Sequence, residues 1–380
     1  LRFVIIVSLI LASTAAPAAV FEREHNAPIG DMVAQSYDEL CTVAAGTNAY
    51  LNKGRQYDPS VIHAGVAQDF GADLKRVQQT LDFICDTISQ DKLLKRVSRL
   101  GDAAFISEHF EMIRWRPNKQ QSRQFEDNKP LLQRIPDDQI LLTKYYIKKA
   151  QGSTQKTVET PHALYAIPHD EANLTLEQAD VKRGEISRYR YTKHQVLSGI
   201  LDKKALASPL VWLSRDDLED TLMQGTVMIE GADKPTFYNV HRNNGIGYKR
   251  DLKKRQQQRY WYFKQTDSVL GYGKDANYKI PIFPHATVAG DLAYLGLGKL
   301  IMLSSNGQSR LTILADTGGA FVDNQYQLDY LGGYFYNWAD YIKTYRHFPD
   351  YFEARILLLK TKPLSADVDG ASVVAPVMGK

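Results

Sequence analysis

Cysteine is nearly absent from these 380 residues: there are only two, Cys41 and Cys85. With no histidine near either in sequence, they form neither a zinc-ligand pattern nor a redox motif. They can close one disulfide if the chain is exported, or remain as two buried thiols. Long apolar runs are absent after the first dozen residues, so no later segment reads as a membrane span. Charge of one sign is also missing. The net charge of +4 is too small for a nucleic-acid footprint, which needs a concentrated basic face. There is no Gly-x-Ser-x-Gly, no His-Glu-x-x-His and no glycine-rich loop ending in Lys-Ser/Thr. The nine histidines show no ligand spacing, so no metal is expected. His109, His162, His169 and His285 read as surface or strand-end residues.

What is present begins with LRFVIIVSLILASTAAPAAVFER. Arg2 precedes an apolar run from Phe3 to Ala12, and Ala16-Pro17-Ala18 fits a small-x-small cleavage site. The expected reading of residues 1–19 is a secretory signal peptide. No cysteine follows that site to carry a lipid. The chain is therefore expected to be exported, to the periplasm or the outer membrane of a Gram-negative cell, with no transmembrane anchor once the leader is removed. Export favours a Cys41–Cys85 bridge, worth roughly 3–4 kcal/mol in the chain-entropy model.

Residues 20–100 read as helical. Leu74, Val77, Leu81, Ile84 and Ile88 recur at three- and four-residue spacing and make one apolar face. From about residue 105 short apolar runs alternate with turn signals: QILLTKYYI, HALYAIP, TVMIEGADKPTFYNV, RYWYFKQ, KLIMLSS, RLTILADTGG and ARILLLKTK. These read as strands. Two helical stretches, TKHQVLSGILDKKAL and RDDLEDTLMQG, interrupt them. The basic run KRDLKKRQQQR, residues 249–259, reads as a solvated loop or as a contact for an anionic polymer. Residues 363–380 read as a flexible tail.

The carboxylates carry the chemistry. Asp316 opens Asp-Thr-Gly, the signature of aspartic peptidases, but the motif occurs once, and those enzymes need two carboxylates sharing a proton. A single acid suffices for one other reaction. In lytic cleavage of a glycan the acid protonates the glycosidic oxygen, and the sugar's own C6 hydroxyl attacks C1. That acid needs a raised pKa, which an apolar setting provides. Asp329, between Leu328 and Tyr330, has such a setting. Asp316, beside Gly318 and Gly319, looks better placed to accept backbone amides.

At these residues the sequence resembles membrane-bound lytic transglycosylase A and its relatives, whose C-terminal part is a three-aspartate domain. The blocks fall in the family's order from about Phe105 to Lys360: FISEHFEMIRW and LLTKYYIKKA, ALYAIP, YTKHQVLSGIL, LVWLSRDDLEDTLMQGTVMI, HRNNGIGY, YFKQ, TVAGDLAYLGLGKLIML and ADTGGAFVDNQYQLD. The resemblance implies a mainly β fold after an α-helical N-terminal region. A double-psi β-barrel would come from residues 101–147 and 269–362, with a second β domain, 148–268, inserted in it. It puts the catalytic acid/base at Asp329 and a supporting carboxylate at Asp316. It places Thr143, Tyr146, Gln224, Gly225, Asn244, Gly245, Tyr248, Gly318 and Gly319 along a sugar-binding groove. The implied partner is the glycan strand of peptidoglycan, cut at the MurNAc-β-1,4-GlcNAc bond to leave a 1,6-anhydro end, with no cofactor.

The chain departs from the family at Lys144, Thr226, Val227 and Asp323. The helical domain at 20–100 has no counterpart, so any protein partner it has is unknown. Asp340 is a third aspartate by count only. Two other readings stay open: a non-catalytic cell-wall-binding protein on the same fold, and an aspartic peptidase using Asp316.

Overall fold

The computed structural model describes residues 19–361, except 124–129, 232–233, 250, 275 and 323. The expected leader, apart from Ala19, and the expected tail lie outside the described residues.

The chain opens with β1 (Ala19–Glu24) and the short β2 (Asp31–Met32). Helix α1 (Tyr37–Leu51) begins where the Ser36 side chain accepts the Glu39 N–H. Helix α2 (Leu74–Leu93) begins where Asp73 accepts the Arg76 N–H, satisfying an amide the first turn leaves orphaned. Cys41 and Cys85 form a disulfide that ties the two helices together. The apolar face of α2 is buried at Val77, Leu81, Ile84 and Ile88. It packs into the same core as Ile301, Leu311 and Ile356, which lie on strands much later in the chain. The stretch expected to be a separate helical domain thus shares one core with the β-structure. It also contributes two strands that the helical pattern concealed.

Strands β3 (Phe110–Pro117) and β4 (Ile140–Ala150) follow. A second core then forms around β5 (His162–Tyr165), β6 (Pro209–Leu213), β7 (Thr226–Ile229), β8 (Thr236–Asn243), β9 (Trp261–Thr266) and the helix Arg215–Gln224. The chain returns through β10 (Thr287–Ala289), β11 (Leu300–Ser305), β12 (Gln308–Asp316), β13 (Gln327–Phe335) and β14 (Tyr351–Leu359).

Six of these strands close on themselves. Around the ring, β4 pairs with β14, β14 with β11, β11 with β12, β12 with β10, β10 with β13, and β13 with β4. Closure leaves none of the six as a free edge. Its lining is apolar because β11, β12 and β14 carry near-continuous runs such as Leu300–Leu303 and Ile356–Leu358, all buried. β4 is long enough to leave the barrel and pair with β7 through Lys148–Ala150, which joins the two cores along one strand.

Candidate active site

The site is a row across four barrel strands. Asp316 on β12 pairs in register with Ala289 on β10, Ala289 with Asp329 on β13, and Asp329 with Thr143 on β4. In-register neighbours point to the same side of a sheet. The two aspartates therefore flank a residue with only a methyl side chain, on backbones roughly 10 Å apart, or two strand spacings. The register slips between Val288 and Ala289, a bulge at the edge of the site.

Tyr145 lies two residues beyond Thr143 on the same face of β4. Its hydroxyl donates to Asp316 Oδ2 at 2.9 Å, and Asp316 Oδ1 accepts the Thr317 N–H at 2.9 Å. Burial pushes the Asp316 carboxyl up to about 6, against the pull of Tyr145, the Thr317 amide and Lys279. Asp329 is pushed further, to about 7. Burial is again the main cause, and the neighbouring Asp316 charge adds to it. The Thr143 hydroxyl and Lys144 pull the other way. Protein surrounds both carboxyls on most sides, yet each keeps part of its surface open. Asp329 Oδ1 is buried and has no hydrogen-bond partner among the described residues. The two carboxyls do not bond to each other, so the shared-proton pair of an aspartic peptidase is not formed.

A cleft of about 290 Å³ opens at the Asp316 end of this row, between the barrel and the second core; Asp316 lines it, and Asp329, Ala289 and Thr143 do not. Tyr145, Asp316 and Thr317 form its barrel wall. Gln224, Gly225 and Val240 form the opposite wall, and Gly271, Tyr272 and Lys279 close one end. Gly225 ends the Arg215–Gln224 helix at φ 83°, a left-handed conformation that glycine adopts without strain. Its turn puts the helix end at the cleft. The Tyr272 wall is held by the N-terminal region, since the Tyr272 hydroxyl donates to Asp58 Oδ2 at 2.8 Å.

No family model matches the chain, and no curated protein matches it in sequence. Solved structures do match. MltA from Neisseria gonorrhoeae aligns with a TM-score of 0.55 at 15% identity, covering 91% of this chain and 93% of that one. The membrane-bound lytic murein transglycosylase from Agrobacterium tumefaciens aligns at 0.53 and 14%, covering 85% and 92%. E. coli MltA with bound chitohexaose aligns at 0.51 and 15%, covering 91% and 96%. This chain has the MltA fold. The closed six-stranded ring is the double-psi barrel of that fold, as the sequence resemblance implied.

On the MltA frame the residues expected along the groove divide into two groups. Tyr146, Gln224 and Gly225 line the cleft, and Thr143 sits in the aspartate row, bonded to the Leu328 carbonyl and to Gln327. Gly318 faces a neighbouring cleft, and Gly319 is exposed. Asn244, Gly245 and Tyr248 do not line the cleft. The Asn244 amide is buried and clasps its own loop. It donates to the Tyr191 and Gln258 carbonyls at 3.0 Å and accepts the Tyr260 N–H. Gly245 turns at φ 72° against Arg183 and Tyr189, and Tyr248 lies exposed under Arg259.

The departures from the family pattern are accommodated. Lys144 pairs with Asp350 at 2.8 Å. The Thr226 hydroxyl donates to Asn239, and Val227 is fully buried. Asp323 lies outside the described residues. Asp340 is exposed and accepts from Asn337 at a helix start, away from the row. The basic run pairs with acids of the neighbouring helix, Lys254 with Asp220 and Arg255 with Asp216.

Sequence reasoning passed over Tyr145 and Ala289. A Tyr-Tyr pair on a strand must send one ring to each face, and that alternation was the available signal for Tyr145. Nothing local marked Ala289. Among the described residues, no cluster of three or more metal-ligating side chains occurs, and no helix is long and apolar enough to cross a membrane.

Proposed function

We propose that this protein is a peptidoglycan lytic transglycosylase, with Asp329 as its general acid and then its base. The observation that carries the reading is the state of Asp329: a carboxyl held near pKa 7 by burial and by the neighbouring Asp316 charge, in a residue that keeps part of its surface open. At neutral pH a large fraction of it is protonated, so it has a proton to give and an oxygen to receive one.

The steps balance without water. Asp329 protonates the oxygen bridging MurNAc C1 and GlcNAc C4. The C1–O bond breaks as positive charge spreads over the ring oxygen and C1. The C6 hydroxyl oxygen of the same MurNAc bonds to C1 and loses its proton to the Asp329 carboxylate. A 1,6-anhydro end forms, and the acid is regenerated. Asp316, ionised above about pH 6, offsets the developing positive charge. Tyr145 fixes the Asp316 carboxyl.

The cleft between the barrel and residues 148–268, read as an inserted domain, receives the glycan. E. coli MltA holds a sugar chain, chitohexaose, on the same fold. The proposed setting is the cell envelope after export. The test is digestion of purified peptidoglycan by the wild-type protein and by Asp329→Asn, with products read by mass spectrometry. Anhydro-muropeptides from wild type alone support the reading. Intact glycan with both, still bound by the protein, would replace it with a cell-wall-binding role.

A further inference from the structure

On β13 successive side chains point to opposite faces, so Tyr330 turns away from Asp329. The Tyr330 hydroxyl accepts from Arg310 Nη1 at 3.2 Å and pairs with His285 Nδ1 at 2.9 Å. Arg310 and His285 line a separate cleft of about 480 Å³, which shares no residue with the one at Asp316. Among the described residues no acid lines it. Arg310 is the cation of this cleft, and its partners among the described residues include no carboxylate. They are the Tyr330 hydroxyl and the rings of Tyr330, Phe348 and Phe352, with the guanidinium carbon 4.9 Å from the Phe348 centre. Its Nε is buried, but its Nη2 is neither buried nor hydrogen-bonded among the described residues. The rings hold the guanidinium plane, so little freedom remains to be lost when a ligand binds.

We propose that this cleft binds an oxyanion, a carboxylate or phosphate group, on Arg310 and His285. A guanidinium presents its N–H groups in a fork that fits either anion. Burial and the Arg310 charge hold the His285 imidazole below its usual value, so it is neutral at pH 7. The Tyr330 hydroxyl accepts from Arg310 and gives its own proton to Nδ1, which leaves the ring hydrogen on Nε2 as a second donor. The His285 backbone is fixed at φ 66° by its N–H on the Leu331 carbonyl at 2.9 Å. Asn306 and Gln308 add neutral amide donors to the lining, and Phe348 and Pro349 give it an apolar wall for whatever carries the anion.

The test is calorimetric titration of the full chain, at constant ionic strength, with inorganic phosphate and separately with N-acetyl-dialanine and its C-terminal amide. Saturable binding of phosphate, or of the dipeptide but not its amide, supports the site and tells which source supplies the anion. Arg310→Gln removes the charge and should weaken that binding by about tenfold or more. His285→Asn keeps a residue that tolerates positive φ and should weaken it about fivefold. Thermal melting shows whether each variant folds, and if Arg310→Gln does not, His285→Asn decides. Affinity within about twofold of the parent in the folded variants overturns the site. So does a parent that binds neither probe, or that binds the dipeptide and its amide alike without binding phosphate. Either failure leaves the transglycosylase reading standing.

Discussion

The two cores of this molecule treat buried charge in opposite ways. In the core around β5–β9, Glu171 is fully buried and sits between Arg188 at 2.9 Å and Arg242 at 3.0 Å. Nearby, the buried Glu219 takes Lys193 and Arg215, both at 2.7 Å. In the barrel, the carboxyls of the aspartate row sit among mainly neutral groups. Among the described residues Asp329 Oδ1 has no hydrogen-bond partner, and Asp316 accepts from a phenol and an amide. Lys299 is likewise buried there, with its Nζ donating to the Leu297 carbonyl, and burial lowers its pKa to about 7. A buried ion pair spends its charge on its partner and holds the chain in register. Burial without a bonded cation raises a carboxyl, and at Asp329, near 7, it leaves a large fraction protonated at neutral pH and available to a substrate.

The comparison can be broken first where charge is paired. Glu171→Ala strands two buried guanidinium groups and should cost about 3–5 kcal/mol. Urea unfolding and hydrogen exchange should show residues 160–265 losing protection first. A loss below about 1 kcal/mol, in the range of exposed pairs, would mean the pairs are only decorative.

Next comes the unpaired side. Asp329→Asn should lower turnover of peptidoglycan by about a thousandfold while leaving the fold intact, the range expected for loss of a general acid. The measurement is the initial rate of anhydro-muropeptide release.

The same substitution should stabilise the protein at alkaline pH. An aspartate held near 7 in the folded state contributes stability that is full below its unfolded value near 4 and is lost as pH rises through 7. Asn stays neutral throughout. The variant should therefore exceed wild type at pH 8 by on the order of 2 kcal/mol and match it at pH 4, read by thermal melting at both.

The smallest effect sharpens the contrast within the row itself. Activity should fall as pH rises through about 7, because the acid loses its proton. Asp316→Asn removes a neighbouring negative charge, so the falling limb should move to lower pH, by on the order of half a unit to one unit. A limb that stays in place would show that burial alone sets the acid.

Much of the barrel was legible in advance. The strands at 140–150, 300–305, 308–316 and 351–359 follow apolar runs bounded by turns. The Arg215–Gln224 helix follows its capping serine, Ser214. β1 and β3 were hidden because FERE and FEMIRW mix charge with apolar residues at strand edges. Asp329 lies within β13, where the parallel pairing with β4 decides its place.

The groove was legible only in part. Asn244 has the residue type of a sugar ligand, yet its amide is consumed by three backbone groups that become its neighbours only on folding.

By itself the sequence determined which segments are strands and helices, where caps and turns fall, and that an apolar setting surrounds Asp329. Those follow from periodicity and from residues within a few positions of one another. Only the tertiary structure decided that β10, drawn from residues 287–289, slides between Asp316 and Asp329. Only there does Tyr145 reach Asp316 from 171 positions away, and only there does α2 share the barrel's core. A pKa is set by what surrounds a group in space. Burial and a neighbouring charge move Asp329 to about 7, and neither is a property of the twelve residues that separate the two aspartates along the chain.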